Sequence, residues 1–543
     1  MINNTLKLMS MVVVLVIAGC EYLEPPITGG GQDEPQNAEP SGLSCTAQQE
    51  EEDYEIYPMT NDGYRIGDVM PYFEPNSGEI FIYYLKDIWD DTNHERHPWY
   101  GFTTTDFYDY QPVCTDASLV SSDQGCDQDF AIGTGSVFKH NNQYFAYYTG
   151  HNPNYPSGCV SKKEGIMLAT SSWPNEEFVR DTTFTTIYAP SGLSFDEQDN
   201  FRDPFVFEDT QNSEYVMLVS ARKDVSGTWK GVIAKYVSTN LMNWTYDGVL
   251  YDGGNDAFFM MECAEVFEMN GTYYLLFSDI DSKYVYYRKA SSLDGPWQKP
   301  VGPDRFEGKG IYAAKTVADG YDRYLLGWTH VNVNHTDSSA SAWGGNMVVH
   351  KIYQTANGDL AVTIPHTLEN YMGNNSYSIT KNSEWGNVTN TQSGTHSYQL
   401  ISPASYDMAN VIFDPVMAER YEITATVNFS SSSRDFGFMI GACDGWNDLF
   451  SLRFVPDQNR FSFDKSKRPE IDQSTIPDND VPLQLTAGVD YVVRILVENS
   501  MVVVYINDVV ALSSRIYRAS GTNWGIFTDH SDVTFSDIEV TTP

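Results

Sequence analysis

Positive charge is what this chain has least of: 33 Lys and Arg stand against 73 Asp and Glu, a formal net charge of −40. That balance argues against a nucleic-acid partner and against electrostatic docking on anionic lipid, and it disfavours a polyanionic substrate. It fits the acidic, solvated surface of an exported protein. Cysteine is sparse, seven in 543 residues, with no Cys-x-x-Cys pair, and no histidine cluster has zinc spacing. His94 and His97 are three apart in a loop and read as a pocket wall, so no metal and no cofactor is implied. No segment sustains a long amphipathic helical period, which leaves a chain that reads as nearly all β. The leading apolar run, Met9 to Ala18, is too short to cross a bilayer as a mature helix.

That run follows Lys7 and ends Val16-Ile17-Ala18-Gly19-Cys20. Ile-Ala-Gly-Cys resembles a bacterial lipoprotein signal, which makes residues 1–20 a signal peptide and Cys20 the lipidated N-terminus left by cleavage. Residues 21–55 are rich in Pro, Gly, Gln and acidic side chains, cannot bury a core, and read as a flexible acidic tether. Glu21 after Cys20 resembles lipoproteins sorted to an outer membrane. The expectation is an exported protein at the surface of a Gram-negative bacterium, touching membrane only through the lipid on Cys20. Of the other six cysteines, Cys114 and Cys126 flank a polar loop and are one candidate pair, and Cys45 with Cys159 is another.

Aromatic residues are plentiful at 14% and hydrophobic residues make up 41%, enough for packed β cores. The length suggests two domains. Five times a short strand leads through a turn into an aromatic strand: Gly67–Phe73 into Ile80–Leu85, Gly133–Phe138 into Tyr144–Thr149, Arg202–Phe207 into Tyr215–Val219, Glu262–Phe267 into Tyr273–Phe277, and Ala313–Val317 into Tyr324–Trp328. A Ser/Thr-rich turn before an aromatic residue follows four of them, as in Thr103–Tyr110 and Val237–Trp244. Repeats at a spacing of roughly 50 to 70 residues predict a β-propeller, here of five blades, over residues 56–370. The repeat then stops. Residues 371–396 read as a linker, and the alternation from residue 397 to 543 predicts a C-terminal β-sandwich.

In a propeller the innermost strands face one channel. Asp68, Asp203 and Glu262 occupy nearly equivalent places on inner strands of blades 1, 3 and 4. Carboxyl groups facing each other across a channel are what glycosidic cleavage requires: one attacks or activates water, the other donates a proton to the leaving oxygen. Arg202 beside Asp203 is expected to keep that carboxylate ionised, and Cys263 beside Glu262 to crowd it little. Glu265 reads as structural.

Phe201-Arg202-Asp203-Pro204-Phe205 and Met261-Glu262-Cys263 resemble the Arg-Asp-Pro and Glu-Cys motifs of glycoside hydrolase family 32, the fructan and sucrose hydrolases. Gly133–Val137 resembles its second-blade Ser-Gly-Ser motif, with Ser136 a candidate sugar contact, and Trp343-Gly344-Gly345 its fifth-blade Trp-x-Gly segment. The stretch Val493–Ser500 with Val504–Asp508 is similar to its appended sandwich. The resemblance implies a retaining double displacement on β-fructosides, with Asp68 as nucleophile, Glu262 as acid/base and Asp203 as transition-state stabiliser. Where the family usually carries Asn-Asp-Pro-Asn-Gly, this chain has Gly67-Asp68-Val69-Met70-Pro71, so the flanking asparagines that help hold the sugar are missing. Trp99, Ser136, Arg202, Cys263, Lys315 and Trp343 are the candidate substrate contacts. Trp99 is equally suited to packing. The competing readings are an inverting propeller glycosidase on arabinose or xylose polymers, and a surface glycan-binding protein without turnover.

Overall fold

The computed structural model describes residues 53–543 apart from 61, 89–95, 115, 405–407, 433, 444–447 and 466–475. The signal peptide, Cys20, Cys45 and His94 lie outside the described residues.

The molecule is all-β, with a short α-helix at His366–Met372. Five strands begin five antiparallel groups: Arg65–Glu74, Ala131–His140, Phe201–Asp209, Met261–Met269 and Tyr312–Ala318. Each pairs with the aromatic strand that follows it, Glu79–Asp87, Gln143–His151, Glu214–Val225, Thr272–Asp279 and Arg323–Asn332 respectively. The five first strands touch in cyclic order, first to second through to fifth and back to first. The first and fifth groups also share a sheet, joined at Ile66↔Gly345. The Ser/Thr-rich turns are held by their own side chains: Thr104 Oγ1 accepts the Phe107 N–H at 2.9 Å, and Ser238 Oγ accepts that of Leu241 at 3.0 Å.

All five first strands break register at the same place. The irregularities fall between Ile66 and Val69, Ile132 and Gly135, Arg202 and Phe205, Glu262 and Glu265, and Tyr312 and Lys315. A bulge inserts an extra residue, turns the strand and re-aims a side chain. Asp203, Cys263 and Ala313 sit in these breaks with φ of 60°, 53° and 49°. Left-handed backbone at non-glycine residues is costly and persists only where the surroundings impose it.

After the fifth group come two packed sheets of eight and seven strands. Their core includes Ile423, Phe438, Leu452, Ile495, Val504 and Trp524. Two expectations need correction. The predicted linker 371–396 contains three paired strands: Asn375–Tyr377 pairs with Val540–Thr542, Lys381–Trp385 with the strand Met408–Phe413, and Asn387–Asn390 with Tyr398–Ile401. The last residue of the predicted tether, Glu55, is docked together with Ile56 and Tyr57, since their backbone N–H groups all donate to the Glu498 carboxylate. Leu496, Met501, Val503 and Tyr505 of the sandwich share one core with Ile56, Ile66, Met347 and Val349.

The cysteine pairing also differs from expectation. Cys126 is bonded to Cys159, and Cys114 and Cys263 are free. Cys114 instead donates to the Asn175 carbonyl at 3.1 Å.

Candidate active site

The register breaks bring Asp68, Asp203 and Glu262 to the same end of the ring, around Cys263. Asp68 Oδ2 accepts from Thr134 Oγ1 at 2.5 Å, and Oδ1 from Trp328 Nε1 at 3.0 Å. Cys263 Sγ lies 3.7 Å from the same Oδ2. Asp203 Oδ2 accepts the Cys263 N–H at 2.9 Å, while the Asp203 N–H donates to Thr149 Oγ1 at 2.9 Å. Glu262 Oε1 accepts from Arg202 Nε at 3.1 Å and Nη2 at 2.7 Å, and its Oε2 accepts from the Tyr312 hydroxyl. Cys263 thus links the nucleophile candidate to the stabiliser candidate, one residue from the acid/base candidate.

Burial dominates the electrostatics. It pushes the Asp203 carboxyl up to about 7, with the charges of Glu262 and Asp68 adding to the rise and Arg202 opposing it. Burial likewise raises the Asp68 carboxyl, helped by Glu262 and opposed by the Thr134 and Trp328 donors and the His97 charge. Arg202 favours the ionised form of Asp203 through its charge but does not cancel the rise. Its guanidinium is turned to Glu262 on one side and to Glu164 on the other, 3.2 Å from Glu164 Oε2. Burial would raise Glu164 too, but Arg202, His151 and the Phe201 N–H more than offset it and hold that carboxyl well below its usual range. Glu164 is the fixed anion that anchors Arg202. Burial and the Glu262 charge push the Tyr312 phenol well above its usual value, so it stays a neutral donor.

Several predicted sugar contacts lie elsewhere. Trp99 is 0% exposed, packs against Tyr83 and Tyr148, and donates from Nε1 to the Gly133 carbonyl at 3.0 Å. It is core, because the strand that carries it faces the second group. Ser136 is committed to the Val206 N–H at 3.0 Å and ties the second first-strand to the third. Lys315 is 2% exposed and donates to the Gly135 carbonyl at 3.0 Å across the ring. Cys263 is buried and orients carboxylates, with no surface left for a sugar. Glu265 accepts the Thr316 N–H at 2.8 Å, a structural tie as expected.

Trp343 does border the site. It is half-buried, lies 6.1 Å from Trp328 between ring centroids, and carries the His97 ring at 5.0 Å on another side. His97 is held by Asp87, 3.2 Å from its Nδ1. A Cβ on Gly67 would fall 2.2 Å from the Trp343 ring, so the glycine is what lets the indole lie against the strand carrying Asp68. Thr134, Trp328, Tyr312 and Glu164 were not singled out from sequence. Thr134 lies in the motif that yielded Ser136, and the register break decides which of the two faces Asp68. Trp328 and Tyr312 look like ordinary core aromatics in a linear reading.

Comparison with known proteins gives the family. Residues 75–363 match the glycosyl hydrolases family 32 N-terminal domain, and residues 358–540 match the GH32, BT1760-like, C-terminal domain. The chain belongs to glycoside hydrolase family 32 and is a glycoside hydrolase. The sucrose-6-phosphate hydrolase of Escherichia coli is 23% identical over 77% of this chain and 80% of its own length. A levanase of Bacillus sp. (strain L7) is 30% identical over 23% of this chain and 12% of its own. The fructan 1-exohydrolase IIa structure from Cichorium intybus superposes with a TM-score of 0.66, covering 90% of this chain and 98% of that one at 16% identity; this shows the fold alone.

Proposed function

We propose that this glycoside hydrolase cleaves β-fructosidic bonds in fructans or fructo-oligosaccharides with retention, on a five-bladed propeller backed by the sandwich. Asp68 is the nucleophile. Glu262 protonates the leaving oxygen and then activates water, and Asp203 holds sugar hydroxyls as charge develops. The observation that carries the reading is the gathering of the three carboxyls about Cys263, each held by different donors. Thr134 and Trp328 aim both oxygens of Asp68, which preorganises attack. The Tyr312 hydroxyl can donate to the Glu262 carboxylate and accept from the acid, so it suits both protonation states of an acid/base. The raised Asp203 carboxyl reduces the repulsion among three close carboxyl groups before substrate binds.

The names of relatives, sucrose-6-phosphate hydrolase and levanase among them, support a β-fructoside substrate. The leader sequence supports an exported enzyme anchored through Cys20. NMR of the first-formed product from a fructan tests the mechanism. β-Fructofuranose as the initial anomer is the expected result, and the inverted anomer would assign the site to a single displacement through water.

A further inference from the structure

The hairpin Glu214–Val225 / Thr228–Ser238 runs past the strand it serves. Its pairing with Phe201–Asp209 ends at Ala221↔Phe201, but the two hairpin strands stay paired out to Val225↔Thr228. Within the overhang Arg222 is opposite Gly231 and Asp224 is opposite Trp229. Cross-strand partners share a face, as do residues two apart, so Arg222, Asp224, Trp229 and Gly231 present one surface.

That surface lies against the segment leading into Glu262. The Gly231 N–H donates to the Phe258 carbonyl at 2.8 Å. A Cβ on Gly231 would stand 2.9 Å from Met260 Cα, so the glycine allows the hairpin to lie flush there. The Arg222 guanidinium stacks 3.9 Å over the Phe259 ring. Trp229 is 49% exposed and Phe259 39% exposed, so part of each ring is open to solvent. The Arg222 guanidinium makes no hydrogen bond or ion pair among the described residues, and its Nε is buried without a partner. Two partly exposed aromatic side chains stand beside a guanidinium with unused donors, and Phe259 precedes the acid/base candidate by three residues in the chain.

We infer that Trp229, Phe259 and Arg222 form a row of subsites for a neutral polysaccharide, on the side of the scissile bond that leaves. Aromatic planes take the apolar faces of sugar rings, and a guanidinium donates to ring hydroxyls without needing a charged ligand. Phe259 leads directly into the strand that carries Glu262, which puts the row on the side of the group that protonates the departing oxygen. This rests on the proposed function for the position of Glu262, and within fructans and fructo-oligosaccharides it favours the polymer.

The test is the double variant Trp229→Ala/Phe259→Ala in the full chain, with two readouts. In native gels containing levan, inulin, arabinan or xylan, the wild type should be retarded by at least one polymer and the variant should lose that retardation. In kinetics, kcat/KM on the polymer should fall about tenfold while kcat/KM on sucrose stays within twofold, because a disaccharide fills only the two positions that flank the scissile bond and does not extend along the row. Equal retardation of both proteins overturns the inference, as does no retardation of the wild type or an equal fall on polymer and sucrose. Retardation lost in the variant, with no fructose released by the wild type, supports the row and counts against the proposed function alone.

Discussion

Gly67 has no side chain because Trp343 stands where one would be, and that contact sets the wall beside Asp68. Gly67→Ala should push the indole away, at a cost of about 1–3 kcal/mol for overpacking, and shift the neighbouring carboxylate. We expect kcat/KM to fall at least tenfold with the circular dichroism spectrum unchanged; an unaltered rate would mean that the Trp343 contact does not position Asp68. Thr134 tests the same carboxylate through its proton. Its hydroxyl favours ionised Asp68, so Thr134→Val should raise that pKa further and move the acid limb of the kcat/KM profile to higher pH; an unmoved limb would mean that this hydrogen bond does not hold the charge on Asp68.

Asp203 carries a stability signature. Its folded pKa, about 7, lies above the ordinary carboxylate value, so between roughly pH 4 and 7 the folded chain holds a proton that the unfolded chain has lost. Stability from this group is therefore present at low pH and declines as pH rises toward 7. Asp203→Asn removes the dependence, and its Tm relative to wild type should climb from pH 4.5 to pH 7.5. A constant Tm difference would mean that burial does not raise this carboxyl. At this scale the motifs named the three carboxylates, but not the groups that aim them. The strand breaks invert which side chain faces the ring, so Thr134 took the place expected of Ser136, and Lys315 was drawn into the wall.

Among the elements, the hairpins were legible because each couples an aromatic strand to turn residues with a defined backbone role. The sandwich edge was not. Lys381–Trp385 and Asn387–Asn390 are mostly exposed or half-exposed, so backbone pairing at a sheet edge holds them without an apolar alternation to read. The disulfide was also invisible, since connectivity depends on which loops the ring brings together. Cys126–Cys159 closes a separation of 33 residues. The chain-entropy account gives such a loop about 3–4 kcal/mol. Cys126→Ser/Cys159→Ser should lower the stability extrapolated to zero denaturant accordingly, with a steeper slope as the unlinked unfolded chain expands; an unmoved stability would show that this link is not structural.

For the whole molecule, the two sheets of the sandwich are part of what holds the ring closed. Glu498 accepts three backbone N–H groups from the segment that enters the first strand, and Arg420 pairs with it at 2.7 Å. Arg515 reaches across to the His330 carbonyl at 3.0 Å, and Glu307 accepts from Ser513 at both oxygens. Calorimetry of the full chain should show one cooperative transition, and a chain stopped after residue 370 should fail to yield soluble monomer. Two separate transitions, or a soluble active ring without the sandwich, would contradict this coupling.

The most direct measurement is sugar release by the wild type and by Glu262→Gln from levan, inulin, sucrose, arabinan and xylan. Fructose from at least one of the first three, reduced by a factor of about a thousand or more in the variant, is the predicted result. Pentose release, or fructose release that survives Glu262→Gln, would contradict a β-fructosidase working through Glu262.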